Sequence, residues 1–124
     1  MYEVLLAIKA ELENIANIKT CKIGLEDDIS PNDYPLIRIV AASNDGLNYL
    51  HEKFTVKIYY GFDLNEYDGM EIIYEKLYAL EKDIRDAIAP ELTGEYVCKW
   101  KNTISDEDRL EGYKVLCSVF EVDS

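Results

Sequence analysis

The sequence predicts an α+β domain: a mostly antiparallel sheet of four to five strands, order α-β-β-β-α-β-β, with two helices packed mainly on one face. Three observations carry that prediction. Two stretches repeat apolar residues at steps of three and four, the helical period, while the stretches around them alternate or run apolar for the length of a strand. At 124 residues, 48% of them hydrophobic, the chain is long enough to bury one core without staples and too apolar to be disordered. No internal repeat, linker or low-complexity segment divides it, so residues 1–124 form a single domain.

The first helix runs from Met1 to Ala16, with Val4, Leu5, Ile8, Leu12 and Ile15 on one stripe and Glu3, Lys9, Glu11 and Glu13 pointing away. Ile18 to Leu25 reads as a strand whose apolar members are Ile18, Cys21, Ile23 and Leu25. Glu26 to Pro35, dense in Asp, Ser, Asn and Pro, is a loop. Leu36 to Ala42 and Phe54 to Gly61 alternate as strands and pair as antiparallel neighbours. Between them Ser43 to Glu52 is polar, contains the turn signal Asn44-Asp45-Gly46, and is expected to be a long hairpin loop.

The longest element is the helix expected between Asn65 and Pro90. Met70, Ile73, Leu77, Leu80, Ile84 and Ala87 form its stripe, widened by Tyr74 and Ile88. Asn65 or Asp68 can cap it, Asp68 with Glu71 making a capping box, and Pro90 stops it. A rod of about 20 residues spans about 30 Å, enough to lie across a small sheet. A turn at Glu91 to Gly94 leads to a strand over Glu95 to Asn102, with Tyr96, Cys98 and Trp100 facing one way and Val97 and Lys99 the other. After the charged loop Ser105 to Gly112, Tyr113 to Val122 is apolar on both sides, the mark of a strand central in its sheet or covered by a partner.

Twenty-five acids against 13 bases give a net charge of −12, which repels phosphate backbones and anionic membranes. From Asp63 to Glu95 ten acids meet three bases, making the main helix and its flanks an acidic surface, either simply solvated or turned towards a basic partner or a pore. No apolar run approaches the about 18 residues of a membrane span. Nor does a charged leader open the chain, so a soluble protein made in the cytoplasm is expected. Cys21, Cys98 and Cys117 are odd in number and widely spaced, which fits buried free thiols in a reducing compartment.

Residue patterns for chemistry are sparse. His51 is the single histidine and has no Cys or Ser at a useful spacing, which makes it a solvated loop residue rather than a catalyst. Asp63, Asn65 and Asp68-Gly69 echo a calcium loop, but the spacing is one residue too long and the twelfth position is Tyr74, not Glu; capping explains them without a metal. Glu26-Asp27-Asp28 and Asp106-Glu107-Asp108 lie in loops where nothing separates their pKa values, as catalytic carboxylates require. No phosphate-binding glycine loop, nucleophile elbow or CxxC occurs, so no enzyme activity, cofactor or metal is expected. Ten tyrosines, including Tyr67, Tyr74 and Tyr78 on the main helix, exceed what one sheet can cover. They either fringe its margin or mark an interface for self-association.

At Asp33-Tyr34-Pro35-Leu36-Ile37-Arg38-Ile39 the chain resembles the tail-terminator (tail-completion, minor tail) proteins of long-tailed bacteriophages. In that family a helix opening at the first methionine and a loop precede an acidic-aromatic-Pro step into an aliphatic strand. A polar insertion, a second strand, a long helix and a closing strand follow, here Ser43 to Glu52, Phe54 to Tyr60, the main helix and Tyr113 to Val122. The resemblance implies a non-enzymatic phage or prophage structural protein for virion assembly. Such proteins form a homo-oligomer, a hexameric ring that caps the tail tube and joins it to the head connector. Its partners are then itself, the tail tube protein and the head-tail connector, without a membrane or specific nucleic-acid binding, though DNA passes through the ring. Its place is the host cytoplasm during assembly and then the virion tail. Expected assembly contacts are Asn44, Asp45, Tyr49, His51, Tyr59, Asp106, Glu107 and Arg109. The competing expectation, from size and charge, is an acidic monomeric binding or inhibitor protein, of the immunity-protein or nucleic-acid-mimic type, that neutralises a basic partner.

Overall fold

Helix α1 (Tyr2–Leu12) leads into strand β1 (Thr20–Ile23), then β2 (Leu36–Asn48), β3 (His51–Asp63), helix α2 (Met70–Ile88), β4 (Glu91–Leu92), β5 (Tyr96–Ser105) and β6 (Tyr113–Asp123). These come from a computed structural model that describes residues 2–24, 35–48, 51–63, 69–88, 91–92, 96–105 and 113–123. The side chains of residues 43–48, 51, 52, 91, 92, 105 and 113 lie outside that description. The strands form one sheet in the order β1-β2-β3-β6-β5-β4, with β1 parallel to β2 and every other pair antiparallel. This is the α+β arrangement expected, the two-residue β4 standing where a turn was expected.

Both helices cover the same face. Side chains alternate along each strand, so the inner face presents Ile37 and Ile39 from β2, Phe54, Val56, Ile58, Tyr60 and Phe62 from β3, and Leu116, Phe120 and Val122 from β6. Val4, Leu5, Ile8 and Leu12 of α1 and Ile73, Leu77, Leu80, Ile84 and Ile88 of α2 close over them. The apolar stripe of α2 is the one its spacing predicts, except that Met70 at its start stays exposed. The expected caps Asn65 and Asp68 lie outside the described residues. Gly69 just before the helix has φ +97, a left-handed conformation that a side chain would strain.

Several boundaries differ from expectation, β3 running on to Asp63 and β5 to Ser105, and three of the differences have a visible local reason. Helix α1 ends at Leu12, not Ala16. The Glu13 amide still donates to the Lys9 carbonyl (2.9 Å), but Asn14 and Ile15 donate to carbonyls three residues back, Glu11 (3.3 Å) and Leu12 (3.1 Å). That tightened turn ends the helix, and Asn17 at φ 68 reverses the chain, a conformation Asn tolerates better than most residues. Strand β1 stops at Ile23 because Gly24, although its amide still donates to the Ile39 carbonyl (2.7 Å), takes φ +94 and leaves the extended conformation. The largest correction concerns Ser43 to Glu52. Most of this stretch is strand: β2 continues to Asn48 and β3 begins at His51, with Asn44 paired to Phe54, Asp45 to Lys53 and Gly46 to Glu52. Register shifts at Ala41/Ser43 and Gly46/Asn48 absorb the extra residues. A ladder pairs backbone groups whatever the side chains are, so a polar run does not by itself end a strand.

Candidate interaction surface

On the face of the sheet opposite the helices, strand β5 is the part open to a partner. Val97 and Lys99 of β5 point there, paired with Asp123 and Glu121 of β6. A register shift between Trp100 and Asn102 then turns Ile104 to the same side, opposite Cys117. Val97 (39% exposed) and Ile104 (52%) therefore stand in solvent on a helix-free face. Among the described side chains the same face carries Lys53, Lys57, Lys99 and Lys101 on β3 and β5, and Lys22 and the buried Arg38 on the distant β1 and β2, against Asp63, Glu121 and Asp123. Glu121 takes both Lys53 (3.0 Å) and Lys101 (3.4 Å), and the two ammonium groups hold its carboxyl below the usual range. The face is closed elsewhere. Arg38 and Asp63 are buried there and each has partners, and the half-buried Tyr59 shares a hydrogen bond with the buried Cys117 thiol.

The opposite surface, the outside of the helices, carries the other sign. On α2, Lys82 pairs with Asp86 (2.7 Å) and Arg85 with Glu81 (3.7 Å), the Arg85 guanidinium also lying over the Trp100 ring at 4.0 Å. Glu71 and Glu75 are exposed and form no ion pair among the described residues. Beside them Met70, Ile72 and Tyr78 are exposed, as are Tyr2 and Leu6 on α1. Tyr78 stacks on Tyr74, ring centres 6.3 Å apart.

Beneath α2 a line of hydroxyls crosses the inner face. The Trp100 indole Nε1 donates to Thr103 Oγ1 (3.1 Å), which lies 2.9 Å from Ser118 Oγ, itself 2.7 Å from the Tyr60 hydroxyl. Burial pushes the Tyr60 hydroxyl up to about 12, so it is neutral and available to this line. The Glu81 carboxylate acts on Tyr60 by its charge, adding to the rise, and is itself paired with Arg85. The chain's histidine, His51, lies nine residues from Tyr60 along β3, about 30 Å away at strand rise. The three cysteines are free thiols whose ionisation burial suppresses, Cys21 and Cys98 to about 11, so they are poor nucleophiles. Among the described residues no three His, Cys, Asp or Glu side chains cluster as metal ligands. A groove of about 380 Å3 runs between the α1–β1 connection and α2, lined by Ile15, Ile18, Phe62 and Leu80, with Lys76 and Asp83 as its charged members.

Of the residues expected as assembly contacts, four are described, three of them together and one apart. Asn44, Asp45 and His51 lie in the distal part of the β2–β3 hairpin, the first two on β2 and His51 beginning β3. Tyr59 is eight residues further along β3, on the helix-free face. Tyr49, Asp106, Glu107 and Arg109 lie outside the described residues. The sequence pattern places Val97 and Lys99 on one face but gives no sign of Ile104. It lies beyond the strand end expected at Asn102, and the bulge changes its alternation. Among the described residues no helix is long and apolar enough to cross a membrane. The sequence matches no family model and no curated protein.

Proposed function

We propose that the chain is a non-enzymatic assembly protein that works by joining copies of itself, a tail terminator of the kind that caps a phage tail tube as a ring and meets the head connector. The observation that carries this reading is the pair of opposed open faces: Val97 and Ile104 on the sheet side, Tyr2, Leu6, Met70, Ile72 and Tyr78 on the helix side. Large exposed apolar side chains on two faces offer subunit contacts their apolar anchors. Two different faces on opposite sides suit a heterologous contact, which closes into a ring when the rotation between copies permits. The long β2–β3 hairpin can extend from such a ring towards a tube or connector. The resemblance at Asp33 to Ile39 supplies the phage setting; the faces supply the means of assembly.

The test is mass against concentration by light scattering, with electron microscopy of the same samples and of samples mixed with tail tubes. Closed rings, free or on tubes, are expected. A single-chain species throughout, with no tube binding, overturns the reading. One observation favours the competing reading of an acidic binding protein. Segments 25–34, 43–52, 64–68, 89–95 and 105–112 hold fourteen of the acids and only one base, Arg109, so the connections and the hairpin carry essentially all of the net charge. A stable one-to-one complex with a basic protein by a chain that stays monomeric would decide for it.

A further inference from the structure

We infer that copies of this chain associate front to back, the acidic outside of α2 in one copy seating on the basic helix-free sheet face of the next. The inference rests on the assembly reading above and names the two surfaces that meet. Both follow the same recipe with opposite charge. The first half of α2 exposes Ile72 and Tyr78 beside Glu71 and Glu75, carboxylates with no ion pair among the described residues. Strand β5 exposes Lys99 beside Val97, with Ile104 further along the strand and Lys57 on the same face two strands away; neither lysine forms an ion pair among the described residues. Val97 and Ile104, opposite Asp123 and Cys117, stand about 20 Å apart at strand rise and give such an interface two separate apolar contacts. Opposite charges around it set orientation and disfavour the alternatives, since face-on-like-face pairing would bring lysines to lysines and glutamates to glutamates.

The geometry also excludes a closed two-fold pair through these faces. They lie on opposite sides of the molecule, so each copy keeps one free face after binding, and growth ends only when a ring closes. The acidic surface of α2 thereby acquires a basic partner within its own kind.

Charge reversal tests this. The double variants Lys57→Glu/Lys99→Glu and Glu71→Lys/Glu75→Lys are compared with the unmodified chain by analytical ultracentrifugation, with circular dichroism and thermal midpoint as checks on folding. Each double variant alone is expected to associate about tenfold or more weakly. Mixed one to one they should recover assembly, because every interface between unlike variants is again acid on base. The four-fold variant should assemble by itself. If the unmodified chain assembles and both double variants assemble equally well, the front-to-back arrangement is wrong while the ring reading stands. Recovery that fails in both the mixture and the four-fold variant also overturns it. An unmodified chain that stays a single copy at every concentration, alone and on tail tubes, overturns both.

Discussion

Ser118 sits where three strands meet: it is fully buried on β6, bonded to Tyr60 of β3 and Thr103 of β5. A buried hydroxyl left without its partner keeps the full desolvation cost, so Ser118→Ala should lower stability by about 1–3 kcal/mol, read from urea denaturation. The same line makes stability depend on alkaline pH. Tyr60 has its ionisation raised from 10 to about 12 by burial, and Cys21 and Cys98 theirs from 9 to about 11. The unfolded chain loses these protons first, so the stabilisation is whole below pH 9, falls as pH rises past 9 and 10, and is gone by about 12. Urea midpoints at pH 8 and pH 11 should differ accordingly, and Tyr60→Phe should flatten the part of the loss above pH 10. None of this was legible in the sequence. A serine within an apolar strand gives no sign of the tyrosine that will meet it 58 positions away.

At the scale of elements, legibility followed periodicity. Helix α2 was plain because its apolar stripe spans five turns, and its buried residues Ile73, Leu77, Leu80, Ile84 and Ile88 are those the spacing names. Leu77→Ala, at a position without exposure, should cost about 2–5 kcal/mol in the same denaturation measurement. Gly69→Ala should cost about 1–2 kcal/mol through the backbone alone, because it forces a side chain into a left-handed conformation with open space around it. The apolar residues on both sides of strand β6 left two readings, central in the sheet or covered by a partner, and it lies inside the sheet between β3 and β5. The distal β2–β3 hairpin was not legible, since polar composition and Asn44-Asp45-Gly46 read as a loop while the backbone ladder runs on to Asn48 and His51. The β5 bulge hid Ile104 for a related reason. Alternation locates a face only while the register is unbroken.

For the whole molecule, net charge is a poor guide to any one surface. The chain carries −12, yet among the described side chains its helix-free face has six cations, one of them the buried Arg38, to three acids, and most of the acid excess lies in connections. An interface of acid on base should weaken with salt, because exposed charges are screened beyond about 10 Å at 0.1 M. Sedimentation in low and high salt should show the assembly loosening but not vanishing, since Val97, Ile104, Ile72 and Tyr78 remain apolar at any ionic strength. The sequence indicated surplus tyrosine and a two-sided strand, but not which faces stay open, because that depends on how the helices share one side of the sheet. The most direct measurement is the sedimentation of the unmodified chain across concentration, alone and with tail tubes. The account predicts a discrete closed multiple of the 14.3 kDa chain that stops growing. A lone 14.3 kDa species under every condition would contradict it.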